Sequence, residues 1–190
     1  MWKCNEKRDR PKERHIMSDI EIRRIDAAHG SDARLPNQPF QLWGRLIPAL
    51  QEGKWSYTVQ KHETVGQDCF PDEPYDVEKD DGIFLGAYRE GVCVGVAVLR
   101  EEWFKYLYLD DLKVNGDLRG QGIGGQLIEG CMEEARRLGL RGVYTIGQDT
   151  NLSACLFYLK HGLEIGGFDN RSYRGTSQEN SANVFFYRDL

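Results

Sequence analysis

No run of apolar residues approaches the 18 or more that a membrane-crossing helix requires. The first residues are polar and charged, without the apolar segment of a secretory leader. The five cysteines, Cys4, Cys69, Cys93, Cys131 and Cys155, are odd in number and scattered, and no CxxC pair occurs. That argues against a disulfide framework and against a zinc knuckle, and a reducing cytoplasm is the simplest setting. The four histidines have no metal-ligand spacing, so no metal is expected. The phosphate-loop signature GxxxxGK[ST] is absent as well, which removes the P-loop nucleotide hydrolases.

What remains is an ordinary domain composition, with 40% hydrophobic and 29% charged residues in a chain of 190, enough for one well-buried core. The net charge of −5 is uneven. Residues 1–16 hold six Lys/Arg against three Asp/Glu, so the rest of the chain stands near −8. We read 1–16 as a disordered basic leader and 17–190 as a single domain. An acidic body disfavours nucleic acid as a partner and suits a cationic substrate. Neither nucleic acid nor membrane is expected as a partner, and the chain is expected as a monomer or homodimer.

The segment after Met17 opens with alternating SDIEIRRI, a loop rich in Pro and Asn, and two strand-like pieces, GRLIP (44–48) and WSYTVQ (55–60). An acidic loop, PDEPYDVEKDD, closes it. GIFLGAY and VCVGVAVL then flank a turn at Glu90–Gly91 and read as a hairpin, with YLYLDDLKV (106–114) as the next strand. Apolar residues Ile123, Leu127, Cys131, Ala135 and Leu138 recur at helical spacing up to Gly139. GVYTIGQD is a strand and NLSACLFYLKHG (151–162) a second helix capped near Asn151; LEIGG and ANVFFYRDL are closing strands. This order predicts an α+β (α/β) fold: a mixed, mostly antiparallel central sheet flanked by helices, with one parallel crossover through the first helix.

Between strand and helix lies DLRGQGIGGQL, with four glycines in six positions. A helix N-terminus offers unpaired N–H groups and partial positive charge, and glycine lets an anion approach the backbone. The stretch therefore reads as a phosphate-binding loop. Gly120, Gly122 and Gly125 also match GxGxxG, with Asp149 at a suitable distance downstream. In a dinucleotide-binding fold, however, the first glycine follows the strand directly; here Asn115 to Arg119 intervene, and too little chain follows for a doubly wound sheet.

The residues carry a resemblance at this point. Val114 through Gly124, V-x-x-x-x-R-G-x-G-I-G, resembles the acyl-CoA loop of the GNAT superfamily of N-acetyltransferases, whose Gln/Arg-x-x-Gly-x-Gly/Ala signature is met by Arg119, Gly122 and Gly124. Asn151, Ala154, Phe157, Tyr158, Lys160 and Gly162 resemble its next motif. GRLIP, WSYT, W-x-x-Y-x-Y-L-D-D-L-K-V and QDTNLSACLFYLKHG extend the likeness over about 37–190 to the streptothricin acetyltransferase subgroup. It departs from that subgroup at Asp110–Val114, where Glu-Asp-Ile-Ala-Val is usual, and at Thr145–Gly147.

The resemblance implies acetyl-CoA as co-substrate and direct transfer to a primary amine. The pyrophosphate would lie on Gly120, Gln121, Gly122, Ile123, Gly124 and Gly125 with Arg119 shaping the turn, and the pantetheine arm would pair with Leu112, Lys113 and Val114. Asn151 and Phe157 would support the cofactor, and Lys160 would reach a CoA phosphate. A backbone N–H near Leu112–Lys113 would receive the thioester oxygen. A lysine-like amine must lose a proton, which costs about 4–5 kcal/mol at neutral pH, and Asp110 and Asp111 are the candidate bases. Tyr158 is the candidate acid for the leaving thiolate. Strand alternation places the two aspartates on opposite faces unless a bulge intervenes. Trp103, Tyr106 and Tyr108 are candidates for the acceptor pocket. Streptothricin, through its β-lysine amine, is the expected acceptor; peptide or protein acetylation, and non-catalytic CoA binding, are the competing readings.

Overall fold

A computed structural model describes residues 20–190; the leader expected at 1–16 lies outside the described residues. Alternating apolar residues build nine strands: β1 (Glu21–Arg24), β2 (Phe40–Gln51), β3 (Lys54–Asp68), β4 (Ile83–Arg89), β5 (Val92–Glu101), β6 (Tyr106–Val114), β7 (Gly142–Gln148), β8 (Glu164–Asp169) and β9 (Asn183–Asp189). Two α-helices, α1 (Ile123–Arg137) and α2 (Leu152–Lys160), follow β6 and β7. Seven strands form one sheet in the order β1-β4-β5-β6-β7-β9-β8, while β2 and β3 form a separate hairpin. All neighbours in the large sheet are antiparallel except β6 and β7, which run parallel across the α1 crossover. The fold class expected from the sequence is the one observed.

The main core lies between one sheet face and α1, α2 and β2. Ile123, Leu127, Ile128, Cys131 and Ala135 of α1 meet Leu99, Leu107 and Leu109 of β5 and β6, all essentially without solvent contact. A smaller core, Ile25, Ala33, Tyr75, Phe84, Val96 and Val98, fills the opposite face under β4 and β5. Its cover includes a 3-10 segment, Ala27–Arg34, in a region that the sequence presents as loop. Asp26 starts that segment by accepting from the His29 N–H, a local cap that hydrophobic periodicity does not report.

The turns obey their chemistry. Glu90–Gly91 and Glu52–Gly53 both have positive φ at two successive residues, the twist-matching geometry of a tight hairpin. The second turn joins strands much longer than GRLIP and WSYTVQ suggest. Pro48 sits inside β2, opposite Tyr57, which a two-stranded ribbon tolerates because an outward N–H is unpaired anyway.

Asp149 fastens this hairpin to the main sheet. Its carboxylate lies 3.0 Å from Arg45 Nε of β2 and accepts from the Ala182 N–H, while its carbonyl accepts from the Leu46 N–H. Burial raises the Asp149 pKa from the ordinary carboxylate range, against the pull of the Ala182 N–H and Arg45. Removing one partner of such a pair leaves the other's desolvation unreturned. Asp149→Ala should cost about 2–3 kcal/mol in urea unfolding, and Asp149→Asn, which keeps an acceptor for Ala182, clearly less.

Candidate active site

The parallel pair β6–β7 is registered only from Tyr106↔Gly142 to Leu109↔Thr145. The Thr145 hydroxyl donates to the Leu109 carbonyl at 2.8 Å, closing the last rung. Beyond it the strands part. The cause is in β6, where Leu99 faces Leu109 and Val98 faces Asp111, so Asp110 is an extra residue. Such a bulge bends its strand and increases the twist. It leaves the β7-facing edge of Asp110–Val114 without a strand partner.

A cavity of about 620 Å³ occupies the gap. At one end is the glycine-rich turn. Gly120 and Gly122 have φ of +78° and +85°, the left-handed region open to glycine, and nothing stands within 4 Å of a Cβ at either position. Gly124 and Gly125 have another reason. A Cβ on Gly124 would come within 3.0 Å of the Phe157 ring, and one on Gly125 within 2.5 Å of His161, so both let α1 approach α2. Two glycines serve the turn and two serve the packing.

The first helical hydrogen bond of α1 runs from Gln126 N–H to the Gly122 carbonyl. Among the described residues, the six N–H groups from Gly120 to Gly125 have no backbone or side-chain acceptor. Arg119 is tied down behind them, donating from Nε to the Val114 carbonyl and from Nη1 to that of Pro39. It holds the turn in shape. Gln121 is held by Arg89 and Asp117, outside the cavity lining. This cradle, continuous with an unpaired strand edge, fits a pyrophosphate followed by an amide-bearing arm.

Tyr158, Asn151 and Phe157 of the second helix region line the same cavity. The Asn151 side chain caps α2 by accepting from the Ala154 N–H. Tyr158 is buried beside Gly147 of β7, and burial raises its phenol pKa above the ordinary value near 10. Lys160 is exposed and lies outside the lining, as do Gly122 and Gly125.

The far end of the cavity is acidic. Because of the bulge, both carboxylates project to the sheet face away from α1, correcting the simple alternation that separates them. Asp110 accepts from Arg100 Nε at 2.7 Å. Asp111 accepts from the Tyr75 hydroxyl at 3.1 Å and lies 3.0 Å from the buried Lys113 Nζ. Tyr108 lines the cavity beside them, but Trp103 and Tyr106 do not. Trp103 is 94% exposed in the β5–β6 connection, and Tyr106 is turned toward Asp189 and Arg141 near the sheet's opposite end.

Gln148, Tyr173 and Asn183 also line the cavity and escaped sequence reasoning. Gln148 donates to the Tyr173 hydroxyl, which in turn donates to Asn183, tying the 170–182 loop to the sheet. Only Gln148, beside the Asn151 block, carried a signal. Phe40 at the start of β2 and Phe70 just after β3, with ring centroids 5.0 Å apart and tilted, form another wall with no local signature.

The chain matches the acetyltransferase (GNAT) family over residues 47–163. It belongs to that family. It is an acyltransferase with the GNAT fold, and acetyl-CoA is its co-substrate. Streptothricin acetyltransferase A of Bacillus subtilis (strain 168) is 34% identical over 160 residues, 82% of this chain and 92% of the relative. An acetyl-CoA complex from Bacillus anthracis str. Ames, assigned as a streptothricin acetyltransferase, superposes with a TM-score of 0.80 at 25% identity, covering 91% and 98% of the two chains. Nourseothricin acetyltransferase shares the fold, with a TM-score of 0.73 at 20% identity over 90% and 98%.

The cradle makes a kinetic prediction. Gly122→Ala meets no atom but strains the left-handed turn by roughly 1–2 kcal/mol. The expected result is a KM for acetyl-CoA raised about tenfold with kcat little changed, read from initial rates at saturating acceptor.

Proposed function

We propose that this acetyltransferase acylates a primary amine on a cationic small molecule, with the β-lysine amine of streptothricin as the acceptor. The observation that carries the reading is one cavity joining the amide cradle to the Asp110–Asp111 end. The substrate named for the Bacillus subtilis relative points the same way.

Acetyl-CoA supplies the activated acyl group. The unpaired N–H groups of Gly120–Gly125 hold its pyrophosphate, and the free edge of Leu112–Val114 orients the arm. A backbone N–H near Leu112–Lys113 donates to the oxygen that gains charge during transfer. Asp110 is the proton acceptor. It is the more exposed of the two aspartates and has one counter-cation, itself at the surface. Asp111 is committed to Tyr75 and Lys113 and holds the strand in shape. Tyr158 donates the proton that the leaving sulfur requires, and its raised pKa keeps that proton in place at neutral pH.

Acetyl-CoA turnover, followed by thiol release, should be rapid with streptothricin and slow with spermidine, an aminoglycoside or a lysine peptide. Turnover only on the peptide would make the protein a peptide acetyltransferase; CoA binding without turnover on any amine would leave a binding module. Tyr158→Phe should lower kcat by about 10²- to 10⁴-fold with KM for acetyl-CoA near wild type.

The pH profile has a sign. A general acid works while protonated, and burial moves Tyr158 upward, so its alkaline limb lies above the ordinary value of about 10 rather than between pH 7 and 9. The aspartates separate by readout. Asp110→Asn should lower kcat/KM by about 10²-fold in a folded protein. Asp111→Asn leaves buried Lys113 without its counter-charge and should cost about 3 kcal/mol in urea unfolding.

A further inference from the structure

The tyrosine face of the sheet does more than cover β6, β7 and β9. Tyr108 and Tyr144 stack at 4.8 Å, Phe104 lies 4.9 Å from Tyr144, and Trp103 meets Phe104 edge-on at 5.4 Å. Rings thus run without a break from the cavity wall at Tyr108 to an indole that is almost wholly in solvent. A tryptophan held out in this way gains nothing from burial, and that argues for a use outside the core. Glu102 stands on the same run, accepting from the Tyr144 hydroxyl and leaving the rest of its carboxylate at the surface. Among the described residues no basic side chain pairs with Glu102. Asp110, by contrast, has Arg100. Burial raises the Tyr108 phenol pKa, and both carboxylates, Asp110 and Glu102, lie near enough to add to the rise.

We propose that Glu102, Trp103 and Phe104 form a second cation-binding subsite, which holds a distal ammonium or guanidinium group of a polycationic acceptor while its reacting amine lies at Asp110. The inference rests on the acceptor class proposed above. An unpaired carboxylate beside an electron-rich ring is the combination that recognises an organic cation. The Tyr108 ring, shared by cavity and ladder, sets the spacing: an acceptor must carry at least two separated cationic groups to use both ends. A monocation gains only one. The subsite therefore acts on acceptor affinity and leaves the reacting atoms alone.

Glu102→Gln tests this cleanly, because the amide still offers an acceptor to Tyr144 and removes only the charge. The expected result is a KM for streptothricin raised roughly five- to tenfold, with kcat and the KM for acetyl-CoA unchanged. Glu102→Asp should recover most of the loss, and Trp103→Ala should reproduce it without lowering Tm. The wild-type KM should rise with ionic strength more steeply than that of the Gln variant. An unchanged streptothricin KM in both Glu102→Gln and Trp103→Ala overturns the subsite while leaving the acceptor assignment standing. If streptothricin is not turned over, the acceptor assignment fails instead. The subsite is then read by calorimetric titration with streptothricin and spermidine: weaker binding by Glu102→Gln supports it, and equal or absent binding by both proteins overturns it.

Discussion

Everything at the site depends on β6 and β7 ceasing to pair after Leu109 and Thr145. A parallel sheet interior normally satisfies its backbone groups in the next strand, and groups left unpaired in an apolar setting are costly. The protein bears that cost along Asp110–Val114 and uses it. The open edge faces the cavity, where an extended amide-bearing ligand would take the place of the missing strand. One additional residue in β6, Asp110, marks the place where the strands part. It bends the strand away from β7, frees the edge, and turns two adjacent carboxylates to one face.

The crossover helix completes the other half. α1 begins where the strands have parted, so its unpaired N–H groups point toward the mouth of the gap rather than into core. Its apolar stripe, from Ile123 to Ala135, anchors that N-terminus against β5 and β6. The cradle is rigid because the helix behind it is buried, and Arg119 holds the preceding turn to β6. Gly124 and Gly125 bring α2 close enough for Tyr158 to reach the same cavity. The amide cradle and Tyr158 are thus brought to one cavity by one helix–helix contact.

Much of this was legible in the sequence wherever the signal was local. The Glu90–Gly91 turn, the stripe of α1, the Asn151 cap and the glycine-rich turn each depend on residues within a few positions of one another, and each appears as expected. The bulge was not legible, because one extra residue shows only against the register of β5. Nor was the 3-10 segment, whose Asp26 cap is polar and brief, or the full length of β2 and β3, whose exposed outer residues give no periodic contrast. Tyr106 and Trp103 left the cavity for separate reasons. Tyr106 is captured by Asp189 and Arg141, which are distant in sequence, and Trp103 sits in a connection that directs it outward. Phe40, Phe70, Tyr173 and Asn183 reach the site from three separate segments, and only the fold assembles them.

The two aspartates show how burial divides labour between chemically identical groups. Lys113 is buried, so the Lys113–Asp111 pair cannot be separated without stranding an ammonium in low dielectric, and Asp111 is held as structure. Arg100 has about a third of its side chain in solvent, and an exposed ion pair of this kind is worth only about 0–1 kcal/mol. The Arg100–Asp110 pair is therefore cheap to open, whereas the Lys113–Asp111 pair is not.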